Sequence, residues 1–160
     1  MPSPTLVAAW LRLDTLPTEH IPLFASYWLV DGHDGQALVE LAGLHGDDPQ
    51  DVRDVLPEAL ADCGVSVPPS DEAAAFTAFT ALARLQADGF ASERWIVDKV
   101  TEVVARSDYS MKVTGLPLGA LFGLDDEWGA GWGRSDADLA ACVREACVEQ
   151  LQLAARQGTA

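Results

Sequence analysis

Basic residues are scarce in this sequence. Its 160 residues include 10 lysines and arginines against 25 aspartates and glutamates, which gives a formal net charge of −15. Such a surface repels phosphate backbones and anionic membranes, so we expect neither nucleic acid nor a membrane as a direct partner. The same charge attracts basic proteins over long distances. A basic protein partner is therefore one explanation of the acidity, and plain solubility is the other.

Long apolar runs are also missing. No segment approaches the ~20 apolar residues that are needed to cross a bilayer. The opening residues, MPSPTLVAAWLRLD, lack the charged region and the long apolar core of a signal peptide. The three cysteines, Cys63, Cys142 and Cys147, are odd in number and show no CxxC spacing. We therefore expect a cytoplasmic protein with free thiols.

Isoleucine is nearly absent, whereas alanine and leucine dominate the composition. This composition favours helices, because strands use β-branched and aromatic residues. The sequence therefore predicts an all-α protein, a compact bundle of about seven helices. A linker at 67–71 separates an N-terminal part, 1–66, from a C-terminal part, 67–160, and we expect the two to pack as one domain.

The segment 20–30 is almost wholly apolar. Phe24, Tyr27, Trp28 and Val30 recur along it at helical spacing. A helix that is apolar on all sides is expected inside a hydrophobic core. We therefore predict a central buried helix here.

The stretch 35–65 carries the clearest local signals. Asp48 before Pro49 predicts the N-cap and the first-turn proline of a helix, and Gly64 is placed to end that helix. Pro57 lies inside it, where a proline either kinks a helix or separates two of them. Because a shorter amphipathic segment precedes it, the stretch predicts two helices joined by a sharp acidic turn.

The same stretch has the spacing of a known DNA-binding element. The pair Leu41-Ala42 comes four residues before Gly46; Val52 follows six residues after that glycine, and Leu56 four residues later. In these spacings the stretch resembles a helix-turn-helix. The resemblance implies a helix-turn-helix-like N-terminal part and a role in transcription. The chain as a whole also resembles small acidic proteins of high-GC bacteria, which implies no activity.

The charges of this stretch depart from the helix-turn-helix pattern. A DNA-reading helix presents Arg, Lys, Asn, Gln and Ser to bases and phosphates. Here the segment 31–72 holds eleven acidic residues and one base, Arg53. No wing follows either, because Gly64 leads into a Pro-Pro linker. We therefore expect a carboxylate face that binds protein in place of a DNA-binding face.

Signals for catalysis or metal binding are weak. His20, His33 and His45 are well separated and form neither HxxxH nor HExxH. The turn at 31–35 does not fit an EF-hand loop, and no Walker or dinucleotide motif is present. We expect no metal, no cofactor and no catalytic residue. Adjacent acids at 125–127 leave a small acid-dependent enzyme as a remote alternative.

A glycine-rich loop at 125–134 is the second feature of interest. Trp128 and Trp132 lie four residues apart among its glycines, which excludes a regular helical stripe. Either both indoles pack back onto the core, or the loop contacts a partner. The sequence leaves both interpretations open.

The sequence as a whole predicts a non-enzymatic protein-binding module that engages a basic partner through an acidic helical face. An immunity or antitoxin-like protein and a DNA-mimic inhibitor both fit this description. The alternative is a transcription-related regulatory module derived from a helix-turn-helix. The predicted partner-binding residues are Asp47, Asp48, Asp51, Asp54, Glu58, Trp128 and Trp132.

Overall fold

Helices form the regular structure of this protein. The computed structural model describes residues 1–158, and this range contains eight α-helices, three 3-10 turns and no strand. The prediction of an all-α protein is confirmed. The α-helices are α1 (Pro4–Arg12), α2 (Ile21–Val30), α3 (Gln36–Gly43), α4 (Pro49–Asp62), α5 (Asp71–Ala87), α6 (Glu93–Arg106), α7 (Met111–Thr114) and α8 (Asp136–Gln157). The 3-10 turns span Thr18–His20, Gly119–Leu121 and Leu124–Asp126.

Local signals set the ends of α4. The Asp48 side chain accepts the N–H of Gln50 at 2.9 Å and so satisfies a backbone donor at the first turn. The helix then continues through Pro57 as one element. Gly64 follows its end with φ +73°, a left-handed conformation that glycine adopts without strain. The N-cap and the terminating glycine are both confirmed.

The chain divides into two compact units. Unit 1 covers residues 1–74 and unit 2 covers residues 75–160. The division falls within α5, whereas the predicted division at 66/67 precedes that helix. The Pro-Pro segment at 68–69 therefore belongs to unit 1.

The core of unit 1 is built by α2, α3 and α4. Helix α3 packs against both α2 and α4. Trp28, Leu41 and Leu56, one from each helix, are completely or almost completely buried. The indole N–H of Trp28 donates to the carbonyl of Pro2 at 3.0 Å, so burial leaves this polar group satisfied.

The prediction of a central buried helix at 20–30 is wrong. One side of α2 is buried in the core, but Leu23, Tyr27 and Val30 are 55%, 46% and 83% exposed. Helix α2 therefore lies at the edge of the core. A helix that is apolar on all sides gives no periodic signal of which side is buried, which explains the error.

Unit 2 is organised around α6. Helix α6 packs against α8 and against the turns Gly119–Leu121 and Leu124–Asp126. Arg144 of α8 lies 2.8 Å from Glu93 of α6, and this hydrogen-bonded guanidinium lowers the pKa of the Glu93 carboxyl. A buried hydrogen bond from the Gln150 amide to the Thr80 hydroxyl, 3.2 Å, joins α8 to α5.

Candidate functional site

The turn between α3 and α4 is held against the segment that leads into α2. Gly46 lies so close to this segment that a Cβ atom on it would come 2.5 Å from the carbonyl oxygen of Glu19. The next two residues, Asp47 and Asp48, are exposed. The close approach therefore holds the turn that carries these two residues against the 3-10 turn that precedes α2.

The outer side of α4 carries three further carboxylates. Asp51, Asp54 and Glu58 are three and four residues apart, which brings them onto one side of the helix, and all three are exposed. Val52, on the other side, is completely buried. The Gln50 amide donates to Asp54 at 2.6 Å and orients that carboxylate. We define the acidic face as Asp47, Asp48, Asp51, Asp54 and Glu58.

The acidic face has little countercharge in its own unit. Unit 1 contains thirteen acidic and two basic residues, a net charge of −11 out of the chain's −15. Arg12 Nε lies 2.7 Å from Asp71 Oδ1, and Arg53 Nη2 lies 2.8 Å from Asp14 Oδ1. Both arginines are thus engaged with carboxylates outside the acidic face.

A groove between α3 and α4 adjoins the acidic face. It has a volume of about 440 Å³ and is lined by Glu40, Glu58 and Asp62 together with small and polar residues. The Asp62 carboxylate accepts the N–H of Leu38 at 3.0 Å, and it therefore caps α3, whose own N-cap residue is Gly35. Sequence reasoning missed Asp62 because no local pattern links residues that are 24 positions apart.

An ion pair closes the glycine-rich loop at 125–134 in unit 2, which we call the tryptophan loop. Arg134 Nη2 lies 2.7 Å from Glu127 Oε1, and the Arg134 backbone N–H donates to Glu127 Oε2 at 3.2 Å. The hydrogen bonds from Arg134 lower the pKa of the Glu127 carboxyl. Trp128 is half-buried, whereas Trp132 is 62% exposed. The loop therefore holds one indole against the protein and presents the other to solvent.

The seven predicted partner-binding residues fall into two groups. The five carboxylates lie together in unit 1 as the acidic face, whereas Trp128 and Trp132 belong to unit 2. The candidate functional site is therefore the acidic face of unit 1, and the tryptophan loop is a feature of unit 2.

Two of the three thiols are less acidic than a free cysteine. Burial, and then the charge of Asp62, raise the pKa of the Cys63 thiol. Burial likewise raises the pKa of the Cys147 thiol to about 11. Both shifts oppose formation of the reactive thiolate. Within residues 1–158, no three His, Cys, Asp or Glu side chains are arranged to hold a metal ion.

Known proteins offer no relative from which a function would follow. No protein-family model, no curated protein and no solved structure matches this chain. Among the helices described, none is long and apolar enough to span a membrane. The charges and contacts of the acidic face are therefore the basis for a functional proposal.

Proposed function

We propose that this protein is a non-enzymatic binding module whose acidic face engages a basic protein partner. The observation that carries the proposal is the concentration of charge in unit 1. Five exposed carboxylates lie on the α3–α4 turn and the outer side of α4. Because the two arginines of this unit pair with other carboxylates, the acidic face remains free to attract an external cation.

Charge complementarity acts mainly on the rate of association. Opposite charges raise association rate constants from about 10⁵–10⁶ to about 10⁸–10⁹ M⁻¹s⁻¹ at low salt. Exposed ion pairs contribute only about 0.2–1 kcal/mol each, so the five carboxylates steer a partner more than they hold it. Lasting affinity requires well-packed contacts beside the acidic face.

An inhibitor of a basic enzyme fits these properties. A nuclease or a similar toxin has a basic surface for a polyanionic substrate, and a helix lined with carboxylates is complementary to that surface. In an immunity or antitoxin-like protein, or in a DNA mimic, the carboxylates of α4 take the place of phosphates. In unit 2, the exposed indole of Trp132 is a side chain of the kind that anchors protein interfaces.

A transcription-related regulatory module is the second candidate. The order of α3, a turn at Gly46 and α4, with Val52 and Leu56 buried, supports a helix-turn-helix-like N-terminal part. In such an element the outer side of α4 would lie near phosphates and base edges, where Asp51 and Asp54 would be repelled. We therefore rank this role, within a larger complex, below direct protein binding.

Affinity capture from the native host with matched charge variants tests the proposal. The first variant removes three carboxylates of the acidic face: Asp51→Asn, Asp54→Asn and Glu58→Gln. The control removes the same three charges at exposed sites of unit 2: Asp98→Asn, Asp126→Asn and Glu145→Gln. We expect the wild-type protein and the control to capture a basic protein, and the first variant to capture at least tenfold less of it.

Two outcomes would count against this proposal. Equal capture of the same partners by all three proteins would remove the acidic face from the interaction. Retention of duplex DNA by the purified protein at physiological salt would favour the regulatory module instead.

With a purified partner, the association rate should also fall as salt rises from about 0.05 to about 0.5 M, because salt screens charges that attract at long range.

A further inference from the structure

The outer side of α2 presents a line of apolar side chains. Leu23, Tyr27 and Val30 are four and three residues apart, so they lie along one side of the helix, and all three are exposed. The neighbouring Ser26 hydroxyl donates to the carbonyl of Pro22 at 3.0 Å, so its hydrogen is used within the helix. We define the apolar stripe as Leu23, Tyr27 and Val30.

The apolar stripe is unlike the isolated apolar residues of an ordinary surface. A single exposed leucine or valine needs no explanation, whereas adjacent apolar side chains rimmed by polar residues mark interaction sites. The opposite side of α2, which includes Trp28, already packs into the core of unit 1. The stripe therefore contributes little to that core and is available to a binding partner.

Carboxylates lie at both ends of the apolar stripe. Glu19 lies in the 3-10 turn that leads into α2, and Asp31 and Asp34 follow the C-terminal end of the helix. All three are exposed. The close approach of Gly46 to Glu19 also holds the α3–α4 turn, which carries Asp47 and Asp48, against the segment at the first end of the stripe. The turn that begins the acidic face therefore lies next to the residue that precedes the apolar stripe.

We propose that the apolar stripe docks an amphipathic helix of a basic partner protein. The apolar side of that helix covers the stripe, and its lysines and arginines meet the carboxylates at both ends. The stripe extends over the eight residues 23–30, a rise of about 10 Å, which corresponds to two turns of a partner helix. This inference rests on the proposed function, because it supplies the apolar anchor that a basic partner requires.

Charge favours this occupant over three others. A second copy of the chain would bring another unit of net charge −11 against the first, and like charges repel at contact distance. An anionic membrane or a nucleic acid is repelled for the same reason. A basic amphipathic helix, by contrast, gains both apolar contact and opposite charge.

A patterned peptide tests the proposal on the full chain. The probe is a labelled peptide of about 14 lysines and leucines, with leucine at helical spacing, and a scrambled peptide of the same composition is the reference. Fluorescence anisotropy at about 0.15 M salt should show wild-type protein binding the patterned peptide at least tenfold more tightly than the scrambled one. The double variant Leu23→Ser, Val30→Ser should bind it about tenfold more weakly, a loss of about 1.4 kcal/mol.

Two further variants control for other effects. Phe90→Ser with Val148→Ser removes two exposed apolar side chains from unit 2 and should keep wild-type affinity. Circular dichroism should show both double variants folded, because all the replaced side chains are exposed. The triple variant of the acidic face should slow association of both peptides while the preference for the patterned peptide persists.

The possible outcomes separate the apolar stripe from the acidic face. Equal affinity for both peptides, reduced only in the acidic-face variant, would overturn docking on the stripe and leave the proposed function standing. Patterned-peptide binding that is lost only in the stripe variant would support docking and count against the acidic face. No binding of either peptide would overturn docking. So would a dimer in sedimentation velocity that the stripe variant dissociates, because a second copy would then be the occupant.

Discussion

Replacing Gly46 with alanine tests the packing of the α3–α4 turn. The added Cβ atom would come 2.5 Å from the carbonyl oxygen of Glu19 and 2.7 Å from its Cα. Both are backbone atoms, so rotation of a side chain cannot relieve the overlap. Gly43, three residues earlier at the end of α3, is the matched control, because a Cβ atom there meets nothing within 4 Å.

The expected changes in stability have opposite signs. To reach an ordinary van der Waals distance, the turn at Gly46 would have to move away from Glu19 by about 1 Å. Overpacking of this kind costs about 1–3 kcal/mol. Gly43 is the last residue of α3, where alanine gains at most about the 0.5–1 kcal/mol over glycine that holds for a helix interior. The two variants should therefore differ by roughly 1–4 kcal/mol. At about 2–4 °C per kcal/mol for a chain of this size, their Tm values should lie roughly 2–16 °C apart.

Two measurements detect this difference in stability between the two variants. Urea unfolding followed by circular dichroism gives the change in the free energy of unfolding. Hydrogen exchange with mass spectrometry locates it, since peptides from 36–62 report on α3 and α4 and peptides from α8 serve as an internal reference. We expect Gly46→Ala to speed exchange in α3 and α4 and to leave α8 unchanged.

The close approach at Gly46 would be refuted if the two alanine variants were equally stable. Faster exchange spread evenly over both units would also contradict it, because the overlap lies within unit 1. The turn also carries Asp47 and Asp48 of the acidic face. If it opens, Gly46→Ala should therefore weaken binding of the proposed basic partner more than Gly43→Ala does.

Three further predictions each concern the replacement of one residue. Gly35→Ala adds a Cβ atom that overlaps the Asp62 carboxylate, so α3 loses its cap and urea unfolding should show a loss of about 0.5–2 kcal/mol. Burial raises the pKa of the Cys147 thiol from 9.0 to about 11, so the stability from a neutral thiol is complete below pH 9 and is lost as the pH rises to about 11. This loss of about 3 kcal/mol should be absent from the pH profile of Cys147→Ala, and parallel profiles would contradict it. Glu127→Gln removes the ion pair with Arg134, so trypsin should cleave after Arg134 faster than in the wild type. In the wild type the ion pair should be complete above the usual carboxyl pKa and lost as the pH falls through the lowered pKa of Glu127, which tryptophan fluorescence can follow.

The sequence predicted best those features that depend on neighbouring residues. Asp48 caps α4, and Gly64 ends it, as the spacing of these residues indicated. Helix propensity likewise predicted the all-α class, because it sums over many residues. The effect of Pro57 could not be predicted from neighbouring residues, because its sequence context allowed either one helix or two. In the structure α4 is a single helix, and Leu56 and Leu60, on either side of Pro57 in the sequence, are both buried in the core.

Features that depend on distant residues were not predictable. The Asp62 cap on α3 and the contact of Gly46 with Glu19 join separate elements, and no spacing rule encodes them. The acidic face could be predicted because its residues are close in sequence, on one turn and the helix that follows it. The apolar stripe was missed because α2 is apolar on every side, so its exposed side cannot be recognised without the packing of its neighbours.

The excess of negative charge in unit 1 affects how long the protein persists before it is degraded. With thirteen acidic residues and two bases, unit 1 repels itself, and this repulsion lowers the free energy of unfolding of the unbound chain. Salt relieves the repulsion but also screens the attraction to a partner. A bound basic protein relieves it while adding its own binding energy, which stabilises the folded chain by mass action. If the proposed partner binds, proteolytic turnover should therefore be faster for the free protein than for the complex, and the amount of partner should set the amount of this protein that survives.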